Sequence, residues 1–207
     1  KGQYSPTSEQ GKVTKSTPFG SLDTPFNPVS LAIGAEASFV ARTIDSDRRH
    51  LTSVLRAAAD HKGAAFVEIY QNCPIFNDDA FLPVTEPGAK DEHLVRLEHG
   101  EPIRFGIDKT HGLKFSRYGS LEPALATGPE DAALLTHDAH ATDPSYAFAL
   151  SRLDVADFSH TPIGVFRQAQ RPSYDELMSA QLEQARQQQG DGDLAALLAG
   201  PDTWQVS

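Results

Sequence analysis

The chain contains a single cysteine, Cys73, whose thiolate could bind iron. It lies in the segment Tyr70-Gln71-Asn72-Cys73-Pro74-Ile75-Phe76-Asn77, directly after a run of apolar residues. An iron–sulfur cluster held by protein thiolates needs about four cysteines. Cys73 is therefore either an inert thiol of the core or one ligand of an iron site whose other ligands lie outside these 207 residues.

Two histidines form a second candidate metal site. His137 and His140 are three residues apart, and on a helix this spacing would bring two imidazoles together, as zinc or iron binding requires. No motif marks a third ligand, and Thr136 and Asp138 favour a loop. We therefore expect two surface histidines in a loop, with a His-dependent metal hydrolase as an alternative function.

Composition limits the partners that the chain could bind. Of the 207 residues, 39% are hydrophobic and 22% are charged, as is typical of a globular protein with a sizeable core. The net charge is -10, and no stretch clusters Lys and Arg, so nucleic acids and anionic membranes are poor partners. One cysteine excludes an internal disulfide framework, and no long apolar run is present, so we expect a cytoplasmic protein.

The elements that would position Cys73 form a βαβ unit. The sequence predicts a short helix over 29–37, a strand over 38–42, an amphipathic helix over 47–61 and a mostly buried strand over 64–70. Near-continuous apolar strands joined by a helix are typical of a parallel sheet in an α/β fold. Cys73 would then lie just beyond the carboxyl end of a strand, where ligands gather in such sheets.

After this unit the chain changes character. Residues 77–92 are acidic and rich in turn-forming residues, which indicates a boundary between 1–78 and an α+β C-terminal extension over 79–207. The extension is predicted to contain a hairpin, with strands over 94–97 and 102–105 and Gly100 in its turn. A long helix should begin at the capping box that starts with Ser173, and a partly flexible tail should follow it.

The opening of the chain allows two interpretations. Residues 1–28 are rich in turn formers, and they would form either an ordered loop over a ligand or a flexible end. Because this opening resembles the interior of a longer sequence, we expect the chain to be the C-terminal part of a larger polypeptide.

Several segments together resemble one family, the thiamine-diphosphate-binding β subunits of 2-oxoacid:ferredoxin oxidoreductases, and most closely the 2-oxoglutarate branch. The similarity begins in the middle of that subunit and covers most of this chain. The segments that carry it are Lys1-Gly2-Gln3-Tyr4-Ser5-Pro6-Thr7, Lys15-Ser16-Thr17-Pro18-Phe19-Gly20, Tyr70-Gln71-Asn72-Cys73-Pro74, Thr161-Pro162-Ile163-Gly164-Val165-Phe166-Arg167 and Arg171-Pro172-Ser173-Tyr174-Asp175.

The resemblance implies a fold and a set of site residues. The fold would be the C-terminal half of a thiamine-diphosphate-binding domain with a parallel sheet, over residues 1–78. Lys1, Gly2 and Gln3 match a loop near the cofactor and substrate, where Lys1 would pair with a carboxylate or phosphate. Cys73 matches the fourth ligand of a [4Fe-4S] cluster. The Mg²⁺ ligands and the other three cysteines would lie before Lys1, so the isolated chain should be inactive.

The resemblance also implies an activity. The family oxidatively decarboxylates 2-oxoglutarate with coenzyme A to succinyl-CoA and CO₂ and passes electrons to ferredoxin, with an α subunit as partner. The alternative is a non-catalytic assembly module, in which residues after about Phe76 wrap a partner subunit. The two roles can coexist.

Overall fold

The computed structural model describes residues 2–128, 131–153, 157–202 and 204. The chain divides into two units, Lys1–Gln170 and Arg171–Ser207. The first unit contains both sheets and the second contains two helices. The division predicted from sequence, into 1–78 and a C-terminal extension over 79–207, stays a prediction; strands from both sides of residue 78 share one sheet.

Fourteen helices and strands are assigned within the described residues. The helices are α1 (Pro28–Gly34), α2 (Arg48–Asp60), α3 (Leu82–Thr85), α4 (Lys90–His93), α5 (Ser145–Ser151), α6 (Tyr174–Gln189) and α7 (Leu194–Ala199). The strands are β1 (Phe39–Ile44), β2 (Ala65–Tyr70), β3 (Leu94–Leu97), β4 (Arg104–Phe105), β5 (His111–Phe115), β6 (Leu121–Leu125) and β7 (Thr161–Gln168).

The predicted βαβ unit is confirmed. β1 and β2 pair in parallel with Arg42 opposite Glu68, and α2 connects them. Helix α2 begins where the Asp47 side chain accepts a hydrogen bond from the His50 amide, and its apolar face buries Val54 against β1. The fold is a mixed α/β architecture with a parallel-containing sheet.

The position of β2 corrects the expectation of a mostly buried strand. The sheet order is β2-β1-β7-β3, so every residue of β1 is buried while β2 lies at an edge and is only partly buried. The apolar composition of β2 predicts its strand conformation, but neighbours from distant parts of the chain determine its burial. β7 inserts antiparallel beside β1 and parallel to β3, which makes the sheet mixed.

The predicted hairpin around Gly100 is wrong. β3 pairs with β7, and β4 pairs with β5 in a second sheet of order β4-β5-β6. Between them, the Gly100 amide donates to the carbonyl of His137 at 2.8 Å, and the Ile103 amide donates to that of Leu135 at 2.8 Å. The backbone N–H and C=O groups of the segment after β3 therefore form hydrogen bonds with residues 134–137 and not with β3. Buried backbone groups need partners, but the partners need not come from the neighbouring strand.

The main core of the first unit joins both sheets to the helices. It contains Val29 and Ile33 of α1, Val40 of β1, Leu150 of α5 and Phe166 of β7, all at most 1% exposed. Helices α1 and α5, which lie far apart in sequence, thus pack side by side in one apolar layer against the sheet.

The second unit begins at the predicted capping box, which is confirmed. The Glu176 amide donates to Ser173 Oγ at 3.3 Å, and the Ser173 amide donates to Glu176 Oε2 at 3.0 Å. Helix α6 follows, and the predicted tail contains the short helix α7. Exposed apolar side chains lie on both helices: Leu177, Leu182, Leu197 and Leu198. Among the described residues, no helix has both the length and the apolar character needed to cross a membrane.

Candidate functional site

Cys73 lies where the sequence places it, in a loop that follows the carboxyl end of β2. An aromatic pair connects the two ends of this loop. Tyr70 is the last residue of β2 and Phe81 follows the loop, and their rings stack with centroids 4.6 Å apart. Phe158 packs edge-on against both rings. Burial raises the pKa of Tyr70 to about 12, so its hydroxyl stays neutral and the ring serves as an apolar anchor. The aromatic cluster fixes both ends of the cysteine loop.

Within the loop, a tight turn surrounds the cysteine. The Asn77 amide donates to the Cys73 carbonyl at 2.9 Å. The Asn72 side chain spans the turn from outside, since it donates to Asp78 Oδ1 at 2.8 Å and accepts from the Asp79 amide at 3.0 Å. We call residues 73–77 the cysteine turn.

The thiol of Cys73 is partly buried and faces backbone donors. Hydrogen bonding by the backbone amides of Phe76 and Ile75 holds the pKa of Cys73 below the ordinary value of a cysteine. Backbone donors aimed at a thiolate sulfur are the chemistry that an iron ligand needs. A lowered pKa is compatible with ligation, and the assignment of Cys73 as an iron ligand stays a prediction.

The structure brings Gly2 of the predicted loop 1–3 close to the cysteine turn. Lys1 lies outside the described residues. Gly2 adopts a φ of +71°, and a Cβ placed on it would lie 3.7 Å from Phe76 of the cysteine turn. Gln3 borders a cavity of about 570 Å³ whose wall also includes Tyr4, where the Tyr4 hydroxyl donates to Asp23 Oδ2 at 2.7 Å. Two of the sequence-predicted segments therefore meet, although 70 residues of sequence separate them.

The opening segment is ordered by its own hydrogen bonds. The Gly11 amide donates to the Ser21 carbonyl at 2.8 Å, the Ser21 amide donates to the Lys12 carbonyl at 3.0 Å, and Ser21 is buried. We call residues 9–21 the strap. This geometry supports the interpretation of an ordered loop, because the backbone groups are paired within the segment.

Sequence reasoning missed the polar contact between the strap and the cysteine turn. Lys12 Nζ donates to Asn77 Oδ1 and also lies 2.8 Å from Glu9 Oε1. Asn77 lies three residues after the family segment that ends at Pro74, and the sequence offers no signal that pairs it with Lys12, 65 residues away.

A second cavity, of about 350 Å³, lies on the sheet beside the aromatic cluster. Its wall contains Arg42, Glu68 and Tyr70, together with Phe26 from the opening segment. Arg42 is 1% exposed and its guanidinium lies 5.1 Å from the centroid of the Tyr70 ring. A charged pair thus lies behind the aromatic cluster that anchors the cysteine loop.

His137 corrects the expectation of two surface histidines. It lies in a loop as predicted, but it is 1% exposed, and its Nε2 donates to the Val165 carbonyl at 2.8 Å while Nδ1 accepts from the Tyr146 hydroxyl at 3.1 Å. Burial, the largest cause, lowers the pKa of His137, which favours this neutral ring. Both nitrogens are occupied, so His137 offers no lone pair to a metal; His140 is exposed and bonds to the Gln168 carbonyl.

The cofactor groups that the resemblance implies are partly matched by the described residues. Cys73 fits one thiolate ligand of an iron–sulfur cluster, because its sulfur is accessible and faces amide donors. Within 2–128, 131–153, 157–202 and 204, no group of three or more Asp, Glu, His and Cys side chains could hold a metal ion. The described residues therefore provide no cluster of carboxylates that could bind Mg²⁺.

Comparison with known proteins gives the class. The chain is 54% identical over 208 aligned residues to 2-oxoglutarate oxidoreductase subunit KorB of Mycobacterium tuberculosis, an alignment that covers 100% of this chain and 55% of that protein. It is 42% identical over 78 residues to the β subunit of a 2-oxoacid:ferredoxin oxidoreductase of Saccharolobus solfataricus, over 38% of this chain and 26% of that protein. No protein-family model matches the chain.

The fold matches a solved structure. One chain of the 2-oxoglutarate:ferredoxin oxidoreductase from Magnetococcus marinus, a structure with 2-oxoglutarate, coenzyme A and succinyl-CoA bound, aligns over 97% of this chain and 54% of its own length. The TM-score is 0.60 at 23% sequence identity. This similarity establishes a common fold.

The chain is homologous to the β subunits of 2-oxoacid:ferredoxin oxidoreductases, as the resemblance predicts. Within this class, its end-to-end similarity is to the KorB subunit of the 2-oxoglutarate enzymes. The chain spans about half the length of that relative.

Proposed function

We propose that this chain serves in the β subunit of a 2-oxoglutarate:ferredoxin oxidoreductase. The enzyme would convert 2-oxoglutarate and coenzyme A to succinyl-CoA and CO₂ while reducing ferredoxin, in the cytoplasm. The observation that carries the proposal is the meeting of the loop at Gly2 with the cysteine turn, together with the similarity of the whole of this chain to about half of a KorB subunit.

The chain's own residues would contribute binding and positioning. Cys73 would hold one iron of a [4Fe-4S] cluster, with the amides of Phe76 and Ile75 donating to its sulfur. Gly2 and Gln3 would lie along thiamine diphosphate, and Lys1 would pair with the second carboxylate of the oxoacid or with a phosphate of coenzyme A. When bound, thiamine diphosphate with Mg²⁺ supplies carbanion stabilisation and the cluster accepts single electrons.

A positive φ suits Gly2 to this role. At +71°, a residue with a side chain would be strained, and the Cβ would fill the space beside Phe76. Glycine therefore lets the loop adopt this backbone conformation directly beside Phe76 of the cysteine turn.

An α subunit is the partner that the proposal requires. The exposed apolar side chains of α6 and α7 favour an additional assembly role for the second unit, because exposed apolar groups of this kind commonly mark protein contacts. Catalysis and assembly would then coexist in one subunit.

The test is anaerobic dye reduction by the protein purified with the subunit that accompanies it. We expect reduction that requires both 2-oxoglutarate and coenzyme A and that is lost in Cys73→Ser; pyruvate is supplied in a parallel assay to compare the two oxoacids. His140→Gln is the matched control and should keep activity, since the contacts of His140 with the Gln168 carbonyl, the Asp138 side chain and the His99 ring involve no residue of the cysteine turn.

The outcomes separate the alternatives. Loss of activity in Cys73→Ser with retained subunit association would place the cysteine in the electron path. If the assembled, cofactor-loaded protein reduces no dye with any oxoacid, the oxidoreductase proposal fails and the assembly role becomes the explanation for the second unit.

A further inference from the structure

The strap holds the cysteine turn through one polar contact. Lys12 Nζ donates to Asn77 Oδ1, and Asn77 is the last residue of the cysteine turn. The Asn77 amide in turn donates to the Cys73 carbonyl. Lys12 is therefore two hydrogen bonds away from the backbone of the cysteine.

Lys12 itself is held rigidly. Its carbonyl accepts from the Ser21 amide at 3.0 Å and from Thr17 Oγ1 at 3.0 Å, and its amide donates to Ser21 Oγ at 3.1 Å. Ser21 is 3% exposed and its hydroxyl also donates to the Glu9 carbonyl at 2.9 Å. The backbone of Lys12 is thus bonded from both sides, so its side chain starts from a defined position.

The charge of Lys12 is balanced locally. Glu9 Oε1 lies 2.8 Å from Nζ, and the Lys12 side chain is 25% exposed while that of Glu9 is 54% exposed. The ammonium has three donors, and these two contacts occupy two of them. A hydrogen bond from a charged donor in a partly buried setting is stronger than one between neutral groups.

We propose that Lys12 is a positioning residue, which holds the cysteine turn through Asn77 so that Cys73 is presented to iron. The iron-binding part rests on the proposed function; the mechanical part does not. Lys12 touches neither substrate nor cofactor in this proposal. The Lys12 cation, held at Asn77, would also favour the reduced form of a cluster bound at Cys73, because positive charge nearby stabilises the added electron.

The test compares Lys12→Met, Lys12→Arg and Lys15→Met in the longest natural form of the protein, purified with its accompanying subunit. Lys15 is the matched control, because it is an exposed lysine of the same strap with no recorded side-chain bond among the described residues. Two quantities are measured: hydrogen–deuterium exchange of the amides of residues 75–77, and the midpoint potential of the cluster followed by its EPR signal.

In Lys12→Met we expect exchange at the Asn77 amide to rise about tenfold, the effect of losing one charge-assisted hydrogen bond. The midpoint potential should become more negative, because the variant removes a cation and leaves Glu9 uncompensated. Lys12→Arg should restore both quantities towards the wild-type values, and Lys15→Met should change neither.

Unchanged exchange in Lys12→Met would overturn the proposal. Faster exchange with an unchanged potential would also overturn it, since Lys12 would then only support the fold. A wild-type preparation without an iron–sulfur EPR signal would refute the proposed function, whereas the exchange comparison would still decide whether Lys12 holds the turn.

Discussion

Arg42 donates a hydrogen bond from Nε to Glu68 Oε2 at 2.6 Å, between opposite residues of the parallel strands β1 and β2. The Arg42 side chain is 1% exposed and that of Glu68 is 15% exposed. The guanidinium also lies between the rings of Tyr70 and Phe166. A buried charge that loses its partner destabilises a fold more than the pair stabilises it.

We therefore expect Glu68→Ala to lower the free energy of unfolding by about 3 kcal/mol, because it leaves Arg42 buried without a counterion. The double variant Arg42→Met with Glu68→Leu should lose less, since no charge remains unpaired. Urea denaturation measures both. Glu122→Ala, which breaks the half-exposed pair with Lys114, is the control and should cost at most about 1 kcal/mol; equal losses in Glu68→Ala and Glu122→Ala would contradict the prediction.

Gly164 allows β7 to lie close to β3. Its φ is +120°, and a Cβ placed on it would lie 2.6 Å from the Leu97 carbonyl oxygen. Gly164→Ala should destabilise the protein by about 2–3 kcal/mol, because the backbone must leave this region or the strands must separate. In Gly34→Ala, at the end of α1, the new Cβ meets nothing within 4 Å, so that variant should be neutral or slightly stabilised. Thermal unfolding distinguishes the two; a tolerated Gly164→Ala would disprove the close approach.

Burial of His137 predicts a pH-dependent stability. Burial lowers the pKa of His137 in the folded protein below its ordinary value of 6.5, so the unfolded chain binds a proton first as the pH falls. The free energy of unfolding should therefore be unaffected by this group well above pH 6.5 and should fall below it, by at most about 1.4 kcal/mol per pH unit.

His137→Gln should flatten this dependence between pH 7.5 and 5, which denaturation at several pH values would show. His50, whose pKa burial also lowers, should leave a residual slope. His140→Gln keeps His137 and should retain the wild-type slope. A slope in His137→Gln as steep as that of the wild type would rule out His137 as its source.

The amide donors around Cys73 predict a reactive thiol in metal-free protein. Because the amides of Phe76 and Ile75 stabilise the thiolate, its pKa lies below the ordinary value. The rate of alkylation by iodoacetamide should therefore titrate at lower pH in folded protein than in urea-unfolded protein. Since the chain has one cysteine, the total reaction reports this site alone. Coincident titration curves would show that the turn does not stabilise the thiolate.

The amino-acid sequence by itself determined the local elements and the class of protein. The apolar spacing and the Asp47 cap predict α2, the Ser173 capping box predicts the start of α6, and the segment around Cys73 supports the homology. These features depend on residues a few positions apart, where backbone conformation and hydrogen bonding are settled locally.

Only the tertiary structure decided how distant segments combine. β7 rather than β2 completes the centre of the sheet, His137 is buried against β7, and Lys12 reaches Asn77 across 65 residues. Each outcome depends on which segments come together when the chain folds. From the sequence alone, several strands could pair with a given apolar strand, and several polar groups could bond to a given side chain. The choice among them is made by packing the whole core at once, which no local pattern encodes.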